Sequence, residues 1–492
     1  MTTRRQALIG ATAALLAAGA ARAKPNIIRG LPKRPEIQPA DTAVTAFAGR
    51  ARLGPANTPS LLYSFGDYVR LFGGLDPRFP LGQAVYDFFQ NGGSQAVLLR
   101  LKGSEVQGTA KLVIGGLRLK ACAPGAWGND ITATVVARAD GSFALIVTEG
   151  SHTETYGRVT FGGAFAIDTV LEQNSTLVRW SGDPGKPGDA ITAATTQTFS
   201  GGTGGTALTP ADYVAGMEAL TASDFNLLCV PADQPGGDTD PAVYQAAHAL
   251  CIQRRALLIA DAPAAWLTAG DAQTGIAATG LAGASNAALY FPRIVVADAY
   301  GGANLTVPAC GAIAGVYART DSQRGVWAAP AGLNAGLTGA LDVSAPLTDA
   351  QASALNALNI NSLRRFNGAA PVVWGARTLS PFEEMRYVSV LRTGQFIENS
   401  VRQGTQWAQT PGPFRVIYRG QLSAQVSAFM MRLFKQGAFQ GATPDQAFVV
   451  RCDGSTTTDA DAAAGRVNIL IGFAPLKPAE FVFMRIVLQR QV

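Results

Sequence analysis

Residues 225–260 read FNLLCVPADQPGGDTDPAVYQAAHALCIQRRALLIA. Two short apolar runs, Phe225–Val230 and Ala256–Ala260, bracket a helical stretch, Ala242–Gln253. A strand, a helix and a second strand at this spacing make one crossover unit of a parallel sheet. The pattern continues outward. Toward the C-terminus, Ala264–Leu281 is mostly helical, and Ala288–Phe291 and Ile294–Ala297 are strands. Toward the N-terminus, residues 44–48 (VTAFA) and Ala96–Leu101 (AVLLRL) are strands. Between them lie helices Phe65–Phe72, with Ser64 as cap and Asp67 at its third position, and Leu81–Gln90. Gly73-Gly74 and Asn91-Gly92 stop these two helices.

From 109 to 200 the texture changes. Short β-branched runs, Ile131–Ala137, Ala144–Thr148, Arg158–Phe161 and Thr176–Trp180, are separated by turns, and helical periodicity disappears. Gly201-Gly202-Thr203-Gly204-Gly205 closes the segment as a flexible junction. The expected fold is α/β and α+β multidomain. An α/β body (44–108 and 201–346) is split by an inserted all-β domain (109–200). A mixed α+β C-terminal domain (347–492) follows, with helices 348–358, 381–403 and 420–436, β runs Ala447–Arg451 and Arg466–Ile471, and a terminal strand arm at 480–492.

Residues 1–23 carry a basic pair, Arg4-Arg5, a 15-residue apolar run from Ala7 to Ala21, and Ala21-Arg22-Ala23. This is signal-like with a twin-arginine flavour; an Ala-rich helix or a misplaced start is the other reading. The run is short for a bilayer span of about 20 residues, and no stable membrane insertion is expected. Residues 24–43, with Pro25, Pro32, Pro35 and Pro39, form an extended arm.

The chain has 492 residues, 48% hydrophobic and only 15% charged, against about 25% charged in a typical domain. Such a low charge suits a surface largely covered in an assembly. Net charge is +6, of which three lie in residues 1–23, so nucleic-acid binding is not expected. Five scattered cysteines and two histidines, His152 and His248, give neither a disulfide framework nor a metal site. His248 reads as packed and His152 as exposed. Gly185-Lys186-Pro187 is no phosphate loop, and the glycine run lacks the following Lys. Asp453–Asp461 (DGSTTTDAD) lacks calcium-loop spacing and reads as a hairpin loop. Glu383-Glu384 point in different directions. No catalytic, cofactor or metal residues are assigned, and no enzymatic activity is expected.

Several stretches together resemble the contractile phage tail sheath family. They are Ala46–Arg50 (AFAGR), Phe88–Gly93 (FFQNGG), Pro124–Asn129 (PGAWGN), Tyr290–Arg293 (YFPR), Ala314–Trp327 (AGVYARTDSQRGVW), Val373–Leu379 (VWGARTL), Phe448–Asp453 (FVVRCD) and Ala474–Phe481 (APLKPAEF). They run in order over about 44–492, and Ala314–Trp327 is the longest. The resemblance implies a structural subunit that polymerises helically around an inner tube and contracts to drive it through a target envelope. The implied partners are copies of itself, the inner tail tube protein, and baseplate and terminator proteins, with no cofactor. Assembly is expected in the cytoplasm, then in the tail of a phage or tail-like particle. The signal-like start leaves export to the periplasm as the alternative, as an exported α/β enzyme or binding protein; a sheath-like adaptor or baseplate protein is another.

Three residue sets follow as expectations. The apolar last strand, with Phe481, Val482, Phe483, Met484, Ile486 and Leu488, suits insertion into a neighbour's sheet. Arg319, Asp321, Arg324 and Arg377 are expected to form a polar network fixing the body to the C-terminal domain. Helix 420–436 has a core stripe of Leu422, Val426, Phe429, Met430 and Leu433; Arg432 and Lys435 off that stripe, with Arg419 ahead of it, are expected to face the tube.

Overall fold

A run of strands buried on both faces organises the chain. The computed structural model describes residues 35–103, 107–114, 116–150, 152–182, 194–204, 207–299, 301–366, 368–409, 416–476 and 482–489, with side chains undescribed at 409, 416–418 and 483. It divides into two compact units, Met1–Glu36 and Ile37–Val492. Of the first, only Pro35 and Glu36 are described, both exposed. The signal-like segment 1–23 therefore lies outside the described residues, as does most of the arm at 24–43.

In the second unit, eight strands form one sheet in the order Val372–Val373, Ile360–Arg364, Ala287–Phe291, Leu257–Asp261, Leu227–Cys229, Thr45–Gly49, Ala96–Arg100 and Ser60–Leu62. The six central strands pair in parallel, and each edge strand is antiparallel to its neighbour. Thr45–Gly49, Leu257–Asp261 and Ala287–Phe291 are buried at every residue. That explains their continuous apolar sequence, since helices cover both faces of a parallel sheet. Helices Pro80–Gln90 and Cys310–Arg324 pack on one face; Pro210–Met217, Pro241–Arg254, Ala269–Gly275 and Asp349–Ala357 lie on the other.

Helix Cys310–Arg324 was not marked by amphipathic periodicity, because its first nine residues are all buried. Glycine lets it sit directly on helix Pro80–Gln90. A Cβ at Gly311 would lie 2.0 Å from the Ala84 carbonyl oxygen, and one at Gly315 would lie 2.5 Å from that of Phe88. The stretch AGVYARTDSQR is thus a helix whose glycine face is set by backbone contact.

Two expectations need correction. Strand Ile360–Arg364 pairs in parallel with Ala287–Phe291, and Leu379 N donates to Ala287 O (2.8 Å). The body sheet therefore extends past residue 346 to about Leu379, and 347 is not where the last domain starts. The helix expected from 381 begins at Val388; Glu383–Met385 is a single 3-10 turn, and Thr378 N bonds back to Arg386 O (2.8 Å).

The inserted segment holds two sheets, Lys111–Ile114 with Leu117–Ala121 and Val178–Trp180, and Thr195–Thr198 with Ile131–Ala137, Phe143–Glu149 and His152–Val159. They share a core around Leu119, Ile131, Phe143 and Leu145. The segment is not all β: Ile167–Asn174 is a helix that buries Ile167 and Leu171 on one side. The strand expected at 158–161 is the end of His152–Val159.

The described part of the glycine run, 201–204, is not a loose junction. Gly108 and Thr203 exchange both backbone hydrogen bonds (3.0 and 3.2 Å), Ala126 N donates to Gly204 O (2.8 Å), and Asn129 bonds both the N–H and the carbonyl of Gly202 (2.8 Å each). The PGAWGN loop therefore closes the neck through which the chain enters and leaves the insertion.

After the body come helices Val388–Gly404 and Val416–Lys435, then an antiparallel sheet of Phe448–Arg451, Arg466–Phe473 and Val482–Gln489. The stripe Leu422, Val426, Phe429, Met430 and Leu433 is buried here. The loop DGSTTTDAD joins the first two strands of this hairpin, with Thr458 capping a short helix, Asp459–Ala463.

Asp87, in helix Pro80–Gln90, is 2% exposed. Its Oδ1 accepts from Gln83 Nε2 (2.8 Å), and its Oδ2 has no partner among the described residues. Burial pushes this carboxyl up to about 7. The folded chain thus holds a proton that the unfolded chain, with its Asp near 3.8, has released. This contribution to stability is full below about pH 4 and is lost as pH rises toward 7. Asp87→Asn should flatten the fall in stability between pH 4.5 and 7.5, seen by urea denaturation at each pH. An unchanged slope would place the titration elsewhere.

Candidate functional site

The residues with the most consequential chemistry lie where the N-terminal segment, the body and the C-terminal helices meet. Asp321, in the last turn of helix Cys310–Arg324, accepts two hydrogen bonds from Arg392 (2.9 and 2.6 Å). Their side chains are 5% and 3% exposed. The Arg392 guanidinium also donates to Thr42 O (2.8 Å) and lies 5.0 Å from the centre of the Tyr317 ring. Tyr317 and Tyr290 join through their hydroxyls, which links this cluster to the central sheet. Burial holds both hydroxyls well above the ordinary tyrosine range, so they stay protonated.

Residues 37–42 are held by three side chains of the C-terminal helices. Besides Arg392, Ser400 Oγ accepts from Ala40 N (2.9 Å), and Arg432 donates to Ile37 O. Ile37 is buried among Phe396, Ile397 and Leu422 in the C-terminal core. The chain thus runs from this clamp directly into the central strand Thr45–Gly49.

The four residues expected to form one network are not brought together. Asp321 is paired, but with Arg392, which lies 71 positions away in sequence. Arg319 donates to Asn91 O (2.9 Å) and Gly336 O (2.7 Å), closing the helix end onto the loop of FFQNGG. Arg324 is exposed. Arg377 donates to Asn356 O (2.8 Å) and lies 5.8 Å from the Tyr387 ring, while Asn361 Oδ1 receives its backbone N–H (2.7 Å). Geometry explains the separation: Arg319, Asp321 and Arg324 lie at different angles around one helix.

The last strand, Val482–Gln489, pairs in register with Arg466–Phe473 of its own chain. Val482, Ile486 and Leu488 are buried, and Met484 is half-buried with its methyl over Gly394. Phe481 and the side chain of Phe483 lie outside the described residues. Arg485 and Gln489 are exposed, so the described part of the strand buries one face. It is also the edge of its sheet, since Phe448–Arg451 occupies the other side.

Of the basic residues on helix Val416–Lys435, Lys435 is exposed. Arg432 is half-buried, with its guanidinium 5.7 Å from the Phe429 ring. Arg419 is half-buried, and its Nε has no partner among the described residues. His248 Nε2 accepts from Asn286 N (3.4 Å), and burial lowers its pKa. All five cysteines are free thiols. Among the described residues, no cluster of three His, Cys, Asp or Glu is placed to hold a metal ion, and no helix is long and apolar enough to cross a membrane.

The comparisons with known proteins agree with this architecture. Residues 206–379 match the family model "Phage tail sheath protein central domain". That segment contains helix Cys310–Arg324 and ends where the body sheet ends. This part of the chain is similar to the central domain of phage tail sheath proteins. A putative prophage major tail sheath protein of Pseudomonas aeruginosa (strain UCBPP-PA14) is 28% identical over 273 residues, 54% of this chain and 67% of that relative. The tail sheath protein of Burkholderia phage BcepMu is 25% identical over 425 residues, 81% of this chain and 84% of that protein. The anti-feeding prophage helical sheath in its contracted state shares the fold, with a TM-score of 0.59 at 22% identity, covering 93% of this chain and 96% of that one.

The clamp makes a sharp prediction. Removing one member of a buried pair leaves the other charge desolvated, at a cost of about 3–5 kcal/mol. Asp321→Ala should lower the melting temperature clearly, and the double change Asp321→Leu with Arg392→Met should recover much of the loss. A melting temperature unmoved by Asp321→Ala would show the pair to be solvated. In the last strand, Leu488→Ala should cost about 2–5 kcal/mol, measured by chemical denaturation. A change near zero would mean that the strand does not occupy its own sheet in solution.

Proposed function

We propose that this chain is the structural subunit of a contractile tail sheath. Copies polymerise helically around an inner tube, and contraction of the sheath drives that tube through a target envelope. The supporting observation is the co-linear likeness to proteins named tail sheath, spanning 81% of this chain in one relative, together with a fold likeness to a contracted helical sheath. The energy for such a stroke resides in subunit packing, which suits a chain with low surface charge. The inner tube protein, the baseplate and the terminator are its proposed partners. Assembly in the cytoplasm before incorporation into a tail fits this role.

The last strand is the element through which we propose neighbours are linked. It lies at the edge of its sheet, where strand addition is possible, although Arg402 donates to the Val487 carbonyl (3.4 Å). Because the strand also fills its own core, removing it entirely would damage folding as well as assembly. Electron microscopy of the purified full-length chain tests the reading directly: tubes or stacked rings are expected, and dispersed monomers at all concentrations would contradict it.

The tube-facing surface is proposed to include Lys435. Arg432 is ill-suited to that role, since it holds Ile37, and Arg419 is only partly accessible. Exposed ion pairs contribute about 0.2–1 kcal/mol each and weaken with salt, so many must act together and can release during contraction. Lys435→Glu should leave the melting temperature unchanged and reduce the fraction of sheaths that co-assemble with tube. Normal packing around tubes at low and high salt would remove Lys435 from that surface.

A further inference from the structure

The central sheet changes direction at strand Thr45–Gly49. The strand that follows it in sequence among the parallel set, Ala96–Arg100, lies on one side, and Leu227–Cys229 lies on the other. In open parallel sheets, the crevice outside the carboxyl ends of the strands at such a point is where ligands bind. Here that crevice is a real cleft of about 500 Å³, walled on its far side by the PGAWGN loop of the insertion. The volume falls within the range of small-molecule sites, about 300–1,000 Å³.

Its lining is strongly basic. Arg50, Arg52, Arg78, Arg100 and Lys102 all border it, from the carboxyl ends of the two strands and the loop between them. Part of this charge is compensated. Arg50 pairs with Asp233 (2.8 Å), and Arg78 pairs with Asp76 (2.6 Å), Glu149 (2.9 Å) and, at 3.7 Å, Asp130. The rest is not. Arg100, 7% exposed, donates only to the carbonyls of Ala51 and Gly54 (2.9 Å each). Burial without a counter-ion lowers its pKa. Lys102 is exposed, and its ammonium has no carboxylate partner among the described residues.

Arg52 is 6% exposed and lies 4.8 Å from the Trp127 ring. Its Nη2 stands 3.1 Å from Glu149 Oε2, but the contact is not aligned as a hydrogen bond. Its Nε and Nη2 therefore carry no hydrogen-bond partner among the described residues. Unsatisfied buried donors are costly, and guanidinium forks match oxyanions. Unused guanidinium donors of Arg52 and the unpaired charges of Arg100 and Lys102 thus border one cavity of ligand size.

We infer that this cleft is a binding site for a small polyanion of the phosphate class, its oxygens held by Arg52, Arg100 and Lys102. All three cations belong to the body, and the PGAWGN loop of the insertion walls the opposite side of the cleft. The inference rests on the cleft of a single chain and not on the proposed function, so the two tests are separate.

Calorimetric titration of the full-length chain with inorganic pyrophosphate at constant ionic strength tests the inference, with adenosine diphosphate and adenosine as parallel probes. Saturable one-site binding of pyrophosphate is expected. Binding of the diphosphate but not of adenosine shows that the phosphates carry recognition. Lys102→Glu, at an exposed position, should keep the wild-type melting temperature and weaken pyrophosphate binding about tenfold or more. Pyrophosphate should raise the melting temperature of the parent chain and not that of the variant. Absence of saturable binding in the parent chain overturns the inference, as does equal binding by Lys102→Glu. Binding of a polyglutamate peptide without binding of pyrophosphate also overturns it and would assign the cleft to an acidic protein segment.

Discussion

The buried pair of Asp321 and Arg392 is the constraint around which the described fold is arranged. Two charges removed from water are tolerated only where geometry satisfies both. Here the requirement fixes four pieces of chain together: the helix over the sheet, the first long helix after the body, the segment before the first strand, and, through Tyr317 and Tyr290, the sheet itself. None of these pieces can slide without exposing or orphaning a charge. A purely apolar contact at the same place would allow gradual movement; this one has a defined register.

The backbone contact of Gly311 and Gly315 with helix Pro80–Gln90 acts in the same direction. It brings Asp321 and Arg319 to a set height above the sheet. Arg319 then reaches the carbonyls of Asn91 and Gly336. The longest family-like stretch, AGVYARTDSQRGVW, is therefore a single mechanical part. Its glycines set the approach, its tyrosine stacks on the clamp, and its Arg and Asp tie down separate neighbours.

Much of this was legible in the sequence, and the rest was hidden for identifiable reasons. The alternating strands and helices of the body, the capped helix after Ser64 and the stripe Leu422 to Leu433 follow from periodicity and capping. Helix Cys310–Arg324 gave no such signal, because its first nine residues are buried all round and leave no polar face. Strand Ile360–Arg364 (INSLR) mixes polar and apolar residues, and its identity depends on pairing with a strand far away in sequence. Asp321 was recognisable as a candidate for burial, but its partner was not, since a long-range pair leaves no local pattern. One clue existed: Val388, Arg392 and Phe396 share one face of their helix, so an arginine stands in an otherwise apolar stripe. The basic cleft was missed because its residues come from the ends of two strands and an intervening loop.

The hydrogen-bonded neck of the insertion bears on how such a chain can fold and change over time. Its entry and exit are joined by an isolated antiparallel bridge, Gly108 beside Thr203, so the lobe beyond them closes on itself. The main sheet therefore meets the insertion as a loop already shut, and the entropy of joining its ends is borne by the lobe's own core. Such a lobe can collapse independently of the sheet, before or after it. It can also be lengthened, trimmed or exchanged for another with adjacent ends while the order of the eight strands stays intact. Variation among relatives should then concentrate beyond the neck, where the lobe can be redesigned without disturbing the sheet.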